Sequence, residues 1–278
     1  MKMAIWYRND CKVSSGMTMK RTVLEVNMEN TEKNNWIKAK QLIREYQGRL
    51  PFKQLKTGIA HSLVIPNATY SPWLDDEDFL KTLRIVETNT LVDTFRLWEL
   101  YQISRQLENV DGDVLEVGVW RGGSGALIAK TIADQDKTIY LADTFSGVIL
   151  AGESDSVYIG GEHRDTSEDM VDQLFLGMGL TNYKKLVGEF PKDSSLQMVS
   201  TKLSMVHIDV DVYSSAKAVW DWVQPYLSIG SVVVFDDFGF ISCSGVTKFV
   251  NEIRESPSYF YLHNLNGHAV FIKKLEGL

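Results

Sequence analysis

The chain has 278 residues, enough for one or two domains and for a core that needs no disulfide or metal staple. Apolar residues make up 44% and charged residues 23%, which excludes a disordered chain. Against 29 basic residues stand 36 acidic ones, a net charge of −7. That argues against a nucleic-acid backbone or an anionic membrane as the main partner, while leaving open a metal that needs carboxylates.

Cys11 and Cys243 are the two cysteines, so neither a disulfide framework nor a cysteine-ligated structural zinc is expected. The first thirty residues intersperse Arg8, Asp10, Lys12, Lys20, Arg21 and Glu25 among apolar ones, which breaks any signal-peptide core. No apolar run reaches the roughly 18 residues of a membrane span. The expectation is a soluble, cytoplasmic protein.

Residues 1 to about 110 read as helical and irregular. Trp36, Ala39, Leu42, Ile43 and Tyr46 recur at helical spacing, with Gly48 and Pro51 as stops. Residues 51 to 75, with three prolines, read as loop. Thr90 to Asp93 resembles a capping box with Asp in place of Glu, opening a helix whose buried face would be Leu91, Phe95, Trp98, Leu100, Tyr101, Ile103 and Leu107.

From residue 111 short β-rich runs alternate with helical stretches. The runs are Val114–Val117, Thr138–Ala142, Tyr183–Val187, Leu203–Ile208 and Ser231–Phe235. They are apolar on both faces, as parallel strands covered by helices are. Asn266-Gly267 is a hairpin signal between two further strand-like runs in 259–272. The pattern predicts a doubly wound sheet with one reversed strand near the C-terminus.

The first strand runs into Glu116-Val-Gly118-Val-Trp120-Arg121-Gly122-Gly123-Ser-Gly125 and then a helix. Glycines there let the backbone approach a ligand and aim free N–H groups at it. The dinucleotide fingerprint needs glycine where Trp120 stands, and no Gly-Lys-Ser/Thr follows, so NAD and Walker readings are both weakened. The second strand ends in Asp143, a carboxylate able to accept both ribose hydroxyls. Together the two elements point to a nucleoside cofactor.

The fourth run continues into His207-Ile-Asp209-Val-Asp211-Val-Tyr213, and the fifth ends in Asp236-Asp237. Strand alternation would put His207, Asp209 and Asp211 on one side. The spacing of 27 from Asp209 to Asp236 allows one helix and a return strand, so both acidic groups should reach one sheet edge. Gathered carboxylates repel one another unless a cation sits between them, and all-oxygen ligands favour Mg²⁺, with Mn²⁺ or Ca²⁺ as substitutes. Ser214 or Ser215 would cap the helix that follows.

Val-Gly-Val-Trp-Arg-Gly-Gly (117–123), Ala-Asp-Thr-Phe-Ser-Gly (142–147), His-Ile-Asp-Val-Asp-Val-Tyr (207–213) and Asp-Asp-Phe-Gly (236–239) resemble the macrocin O-methyltransferase family. The resemblance covers roughly residues 88 to 273. It implies a doubly wound, mostly parallel seven-stranded sheet of the class I methyltransferase type, with an antiparallel C-terminal hairpin and a helical N-terminal extension. It also implies S-adenosylmethionine as methyl donor, Mg²⁺, and a sugar or phenolic hydroxyl as small-molecule acceptor. Glu116, Gly118, Arg121, Gly122 and Gly123 would hold the methionine end, with Asp143 and Thr144 at the ribose. Gly188 and Phe190 would lie near the adenine, and Thr90 near the cofactor. Asp209, Asp236 and Asp237 would be the metal ligands. Asp209 would also be the general base, with His207 nearby.

Residues 88–278 would then form the cofactor-binding domain. Residues 1–87 would be an extension that covers the acceptor or mediates a homo-oligomer. Gly160 to Asp165 reads as a lid, with His163 a possible acceptor contact. His263 and His268, flanking the hairpin turn, read as structural. Two other functions compete: an NAD-dependent oxidoreductase of similar topology, and a non-catalytic S-adenosylmethionine-binding module.

Overall fold

The structure is a computed structural model, and it describes residues 34, 35, 37–39, 41, 42, 45, 58–61, 68, 70–199 and 202–275. The chain divides into two units, Met1–Pro51 and Phe52–Leu278. In the first, the described residues between 34 and 45 are helical, Ala39 and Leu42 among them; Trp36, Ile43 and Tyr46 lie outside the described residues. Most of the extension expected over residues 1–87 lies outside the described residues too.

The second unit opens with a 3-10 turn, Pro72–Asp75, within a stretch expected to be loop, and helix α1, Glu77–Val86, capped by the Asp76 side chain. Helix α2 follows, Thr94–Ser104. Five strands and four helices then run β1 Asp113–Val117, α3 Gly123–Thr131, β2 Ile139–Asp143, α4 Glu168–Gly177, β3 Tyr183–Val187, β4 Leu203–Ile208, α5 Tyr213–Val223, β5 Leu227–Phe235 and α6 Ser244–Ile253, with a 3-10 turn, Ser195–Gln197, between β3 and β4. Strands β6, Tyr259–His263, and β7, Ala269–Lys273, form the terminal hairpin.

The seven strands lie in the order β3-β2-β1-β4-β5-β7-β6. The first five are parallel, and β7 runs antiparallel to both its neighbours. The chain winds outward from β1 through β2 to β3, then returns to start β4 beside β1. This reversal opens a crevice at the carboxyl ends of β1 and β4, where open α/β sheets bind ligands. Strand alternation feeds two cores, one on each face. One gathers Leu115, Val206, Trp220, Phe235 and Phe249 under α5 and α6; the other gathers Phe79, Leu97, Val114, Leu127 and Phe175 under α1 to α4.

Local expectations were corrected in three places. Helix α2 begins later than the Thr90 capping box implies: Asp93 is its N-cap and accepts from Phe95 and Arg96 N–H, while Thr90 Oγ1 accepts from Val92 N–H. That shift leaves Leu91 and Phe95 exposed and turns Arg96 inward. Neither Ser214 nor Ser215 caps α5, whose N-cap is Val212 without a side-chain bond. The distant Asp155 accepts from Tyr213 N–H at 2.9 Å in their place. Strand β4 stops at Ile208, and Asp211 has φ +63, so alternation does not carry His207, Asp209 and Asp211 onto one side.

Candidate active site

A cleft of about 200 Å³ opens at the carboxyl ends of β1, β2, β4 and β5. Thr90, Gly118, Asp143, Thr144, Gly188, Phe190, Asp209, Asp236 and Asp237 line it, all anticipated from the sequence. Trp120, Ser124, Tyr158, Asp211 and Arg96 line it as well.

Its first wall is the turn from β1 to α3. Gly118 has φ +90, and a Cβ there would collide with the Asp209 carbonyl oxygen, so only glycine lets β1 and β4 deliver both loops to the cleft. Asp143 holds this turn from the side. One carboxylate oxygen accepts from Val119 N–H at 2.7 Å and Trp120 N–H at 2.9 Å, and the other from Phe145 N–H at 2.7 Å. Arg121 turns away to Asp165, its Nη2 2.6 Å from Oδ2. Arg121, Gly122 and Gly123 are not lining residues; Gly123 instead packs against the backbone of Asn89.

Glu116 and His207 lie beneath the cleft and outside its lining. They are paired across β1 and β4, and the His207 Nδ1 is 3.0 Å from Glu116 Oε1, both side chains fully buried. The strand that carries His207 is buried along its whole length, and the ring is enclosed within the protein.

The second wall is acidic. Asp209, Asp236 and Asp237 each bring a ligand atom within 4.8 Å of the other two. Backbone pairing sets their spacing, since Asp209 N–H donates to Val117 O and Asp236 N–H to Ile208 O, both at 2.9 Å. Burial, then the charge of Asp236, then that of Asp237 on Asp209 and of Asp211 on Asp237, holds Asp209 and Asp237 well above the usual carboxylate range. Burial pushes Asp236 the same way, but contact with His268 and the charges of His268 and Arg96 outweigh it and bring it below that range. Arg96 Nη1 donates to Asp236 Oδ2, and Arg96 Nε to Asp93 Oδ2 at 3.0 Å. His268 Nε2 lies 2.8 Å from Asp236 Oδ1, a close ion pair off the line of a well-aligned hydrogen bond. Despite burial, contacts to Asp236 and Glu99 raise His268 to about 9.

This wall fits a divalent cation. Asp237 Oδ2 is buried without a hydrogen-bond donor, a costly arrangement that a cation would relieve. Three carboxylates form an all-oxygen set suited to a hard ion. Asp236 also meets His207 and His268, and Asp237 meets Asp211 and Cys243, at similar separations. The two histidines already direct Nδ1 at Glu116 and Glu99, which makes them supports of the acid group rather than rivals to it.

On the third side is the loop between β2 and α4. His163 Nε2 is 3.2 Å from Tyr158 Oη, and both residues line the cleft. Burial and the neighbouring Asp211 push the Tyr158 phenol up. The loop is stitched to itself through Val148 N–H to Glu162 O and Gly161 N–H to Val148 O, both at 2.8 Å.

The family profile described as Macrocin-O-methyltransferase (TylF) matches residues 84–274. The chain belongs to the macrocin O-methyltransferase family. Among curated relatives, demethyldecarbamoylnovobiocin O-methyltransferase of Streptomyces niveus is 29% identical over 182 residues, 60% of this chain and 68% of that protein. The Streptomyces olivaceus 8-demethyl-8-(2,3-dimethoxy-alpha-L-rhamnosyl)-tetracenomycin-C 4'-O-methyltransferase is 28% identical over 149 residues, 49% of this chain and 56% of that one. Among solved structures, the O-methyltransferase NovP superposes with a TM-score of 0.59 at 26% identity, covering 67% of this chain and 83% of NovP. A macrocin O-methyltransferase family member is an O-methyltransferase, and the mostly parallel seven-stranded sheet with its antiparallel terminal hairpin is the one the resemblance implied. Among the described residues no helix is long and apolar enough to cross a membrane.

Proposed function

We propose that this protein transfers a methyl group from S-adenosylmethionine to a hydroxyl of a sugar or phenolic natural product, with Mg²⁺ held by Asp209, Asp236 and Asp237. The observation that carries the reading is the meeting of that buried acid group with the glycine turn and Asp143 in one cleft. Relatives support the acceptor class: one is named for a novobiocin precursor, another for a rhamnosyl-bearing tetracenomycin.

Each wall has a distinct task in this reading. The turn at Gly118 and the Asp143 carboxylate bind the nucleoside donor, with Thr90, Thr144, Gly188 and Phe190 shaping its pocket. Asp209, Asp236 and Asp237 bind the ion, which when present supplies positive charge that lowers the pKa of an acceptor hydroxyl. Asp209 takes the hydroxyl proton, being the ligand whose backbone packs against Gly118 of the glycine turn. His207 stays out of proton transfer and braces β1 against β4 through Glu116. Apolar walls at Val148, Ile149 and Phe190 exclude water, which favours a step in which opposite charges combine into neutral groups. Holding donor and acceptor together supplies much of the acceleration.

Mass spectrometry of a metabolite extract incubated with protein, Mg²⁺ and isotopically labelled methyl donor tests the reading. A labelled glycoside or phenol, absent when EDTA is added, is the expected result. Turnover that survives in the Asp236→Ala, Asp237→Ala double variant after EDTA treatment would end the metal assignment.

A further inference from the structure

The hairpin turn after β6 is tied to the acid group by a chain of side chains that the reaction itself does not use. Glu99, on α2, accepts from three residues of that turn: Asn264 Nδ2, Asn266 Nδ2 at 3.2 Å and His268 Nδ1 at 2.5 Å. The His268 ring is fully buried, and its other nitrogen faces Asp236. The antiparallel register sets Ala269 opposite Phe235, which brings His268 beside Asp236. One helical turn before Glu99, Arg96 holds the second oxygen of Asp236. Gly267 O accepts from Phe238 N–H at 2.9 Å, so the same turn also holds the backbone just after Asp237. A Cβ at Gly267, where φ is +112, would collide with the ring of Phe240, over which the Arg96 guanidinium lies 4.9 Å from the centroid.

Helix α2 and the hairpin turn thus grip Asp236 from both oxygens. We propose that Glu99 and His268 are positioning residues that lock Asp236 in the orientation the cation site needs, so that the β6–β7 turn sets the affinity for the ion. The proposal rests on the ion reading above. Its physical basis is that a ligand carboxylate free to rotate must be ordered when the ion binds, whereas one flanked by the Arg96 guanidinium on one oxygen and the buried, Glu99-anchored His268 ring on the other is ordered beforehand. Asn264 and Asn266 hold Glu99 in turn.

The test is a titration of the metal-free full chain with Mn²⁺, read by the electron paramagnetic resonance signal of the free ion. Wild type, Glu99→Gln, His268→Gln and the double variant are compared. Each single substitution is expected to weaken Mn²⁺ binding about 10- to 100-fold. The double variant is expected to bind no more weakly than the worse single one, because the two residues act in series. S-adenosylhomocysteine affinity should stay within about twofold, and saturating Mn²⁺ should restore turnover of Glu99→Gln, a split that a general packing defect would not produce. Should His268→Gln fail to fold, Glu99→Gln decides, since its side chain is 21% exposed and the change is isosteric. Mn²⁺ affinity of Glu99→Gln within about twofold of wild type, or additive effects in the double variant, would overturn the proposal. Absence of Mn²⁺ binding by wild type would overturn the ion reading and this inference with it.

Discussion

Asp143→Asn separates two roles for the acid that ends β2. Its carboxylate accepts three backbone N–H groups, those of Val119, Trp120 and Phe145. Asparagine keeps one acceptor oxygen. With that oxygen toward Val119 and Trp120, two charge-assisted bonds become neutral ones, and Phe145 N–H faces an amide NH₂. Bonds to charged groups contribute about 1.5–3 kcal/mol and neutral ones about 0.5–1.5 kcal/mol, so weakening two costs about 2 kcal/mol. Stranding the third donor adds about 1 kcal/mol, the low end of its range because the site is only half buried and water can reach it. A loss of about 3 kcal/mol lowers the melting temperature of a domain this large by roughly 6–12 °C. Scanning calorimetry on ligand-free protein measures that shift, and a parallel titration with S-adenosylhomocysteine measures nucleoside affinity. Both should fall. A ligand-free melting temperature within about 2 °C of wild type, whatever happens to the nucleoside, would refute the claim that Asp143 clips the glycine turn.

Without a metal ion, stability should decline as pH rises from about 6 to 9. Asp209 and Asp237 are raised by burial and by neighbouring carboxylates, and His268, against its burial, is raised to about 9 by Asp236 and Glu99. Groups raised in the folded state stabilise fully below their unfolded values and lose that contribution as pH climbs through the folded ones. Asp236, which is lowered, works in the opposite sense and only at acid pH. Melting temperatures in EDTA at pH 6 and pH 9 check this, and saturating Mg²⁺ should narrow the difference; equal values in EDTA would contradict it. Gly118→Ala should cut turnover about 10²-fold, because its Cβ displaces the Asp209 backbone from the acid group. Unchanged Mn²⁺ affinity and turnover in that variant would show that the two loops yield more easily than their packing implies. Asp155→Ala strips the acceptor from Tyr213 N–H and Gly152 N–H and should cost about 1 kcal/mol, read as a melting shift of roughly 2–4 °C.

Strand and helix order were legible along residues 111–273 because the central strands β1, β2 and β4 bury near-continuous apolar runs, while the edge strands β3 and β6 are largely unburied and were marked by their flanking turns. Such runs depend on chain-local composition. Asp209, Asp236 and Asp237 were legible for a related reason: apolar strands run straight into them, which marks the carboxyl edge of the sheet. Gly118 and Asp143 followed from their places at the ends of β1 and β2. Capping was less legible, because Asp93 competes with Thr90 locally and Asp155 reaches α5 from 58 residues away.

Local pattern by itself determined the alternating architecture and the acidic sheet edge, and four short motifs carried the resemblance to the family. Tertiary structure alone decided which side chains surround that edge. It sent Glu116, His207 and Arg121 away from the cleft and brought Arg96, Glu99 and His268 toward Asp236. The physical reason is register: His268 meets Asp236 only because β7 inserts antiparallel beside β5. Glu116 meets His207 only because β4 returns to pair with β1. Those pairings join residues far apart in the chain, and no local propensity encodes them.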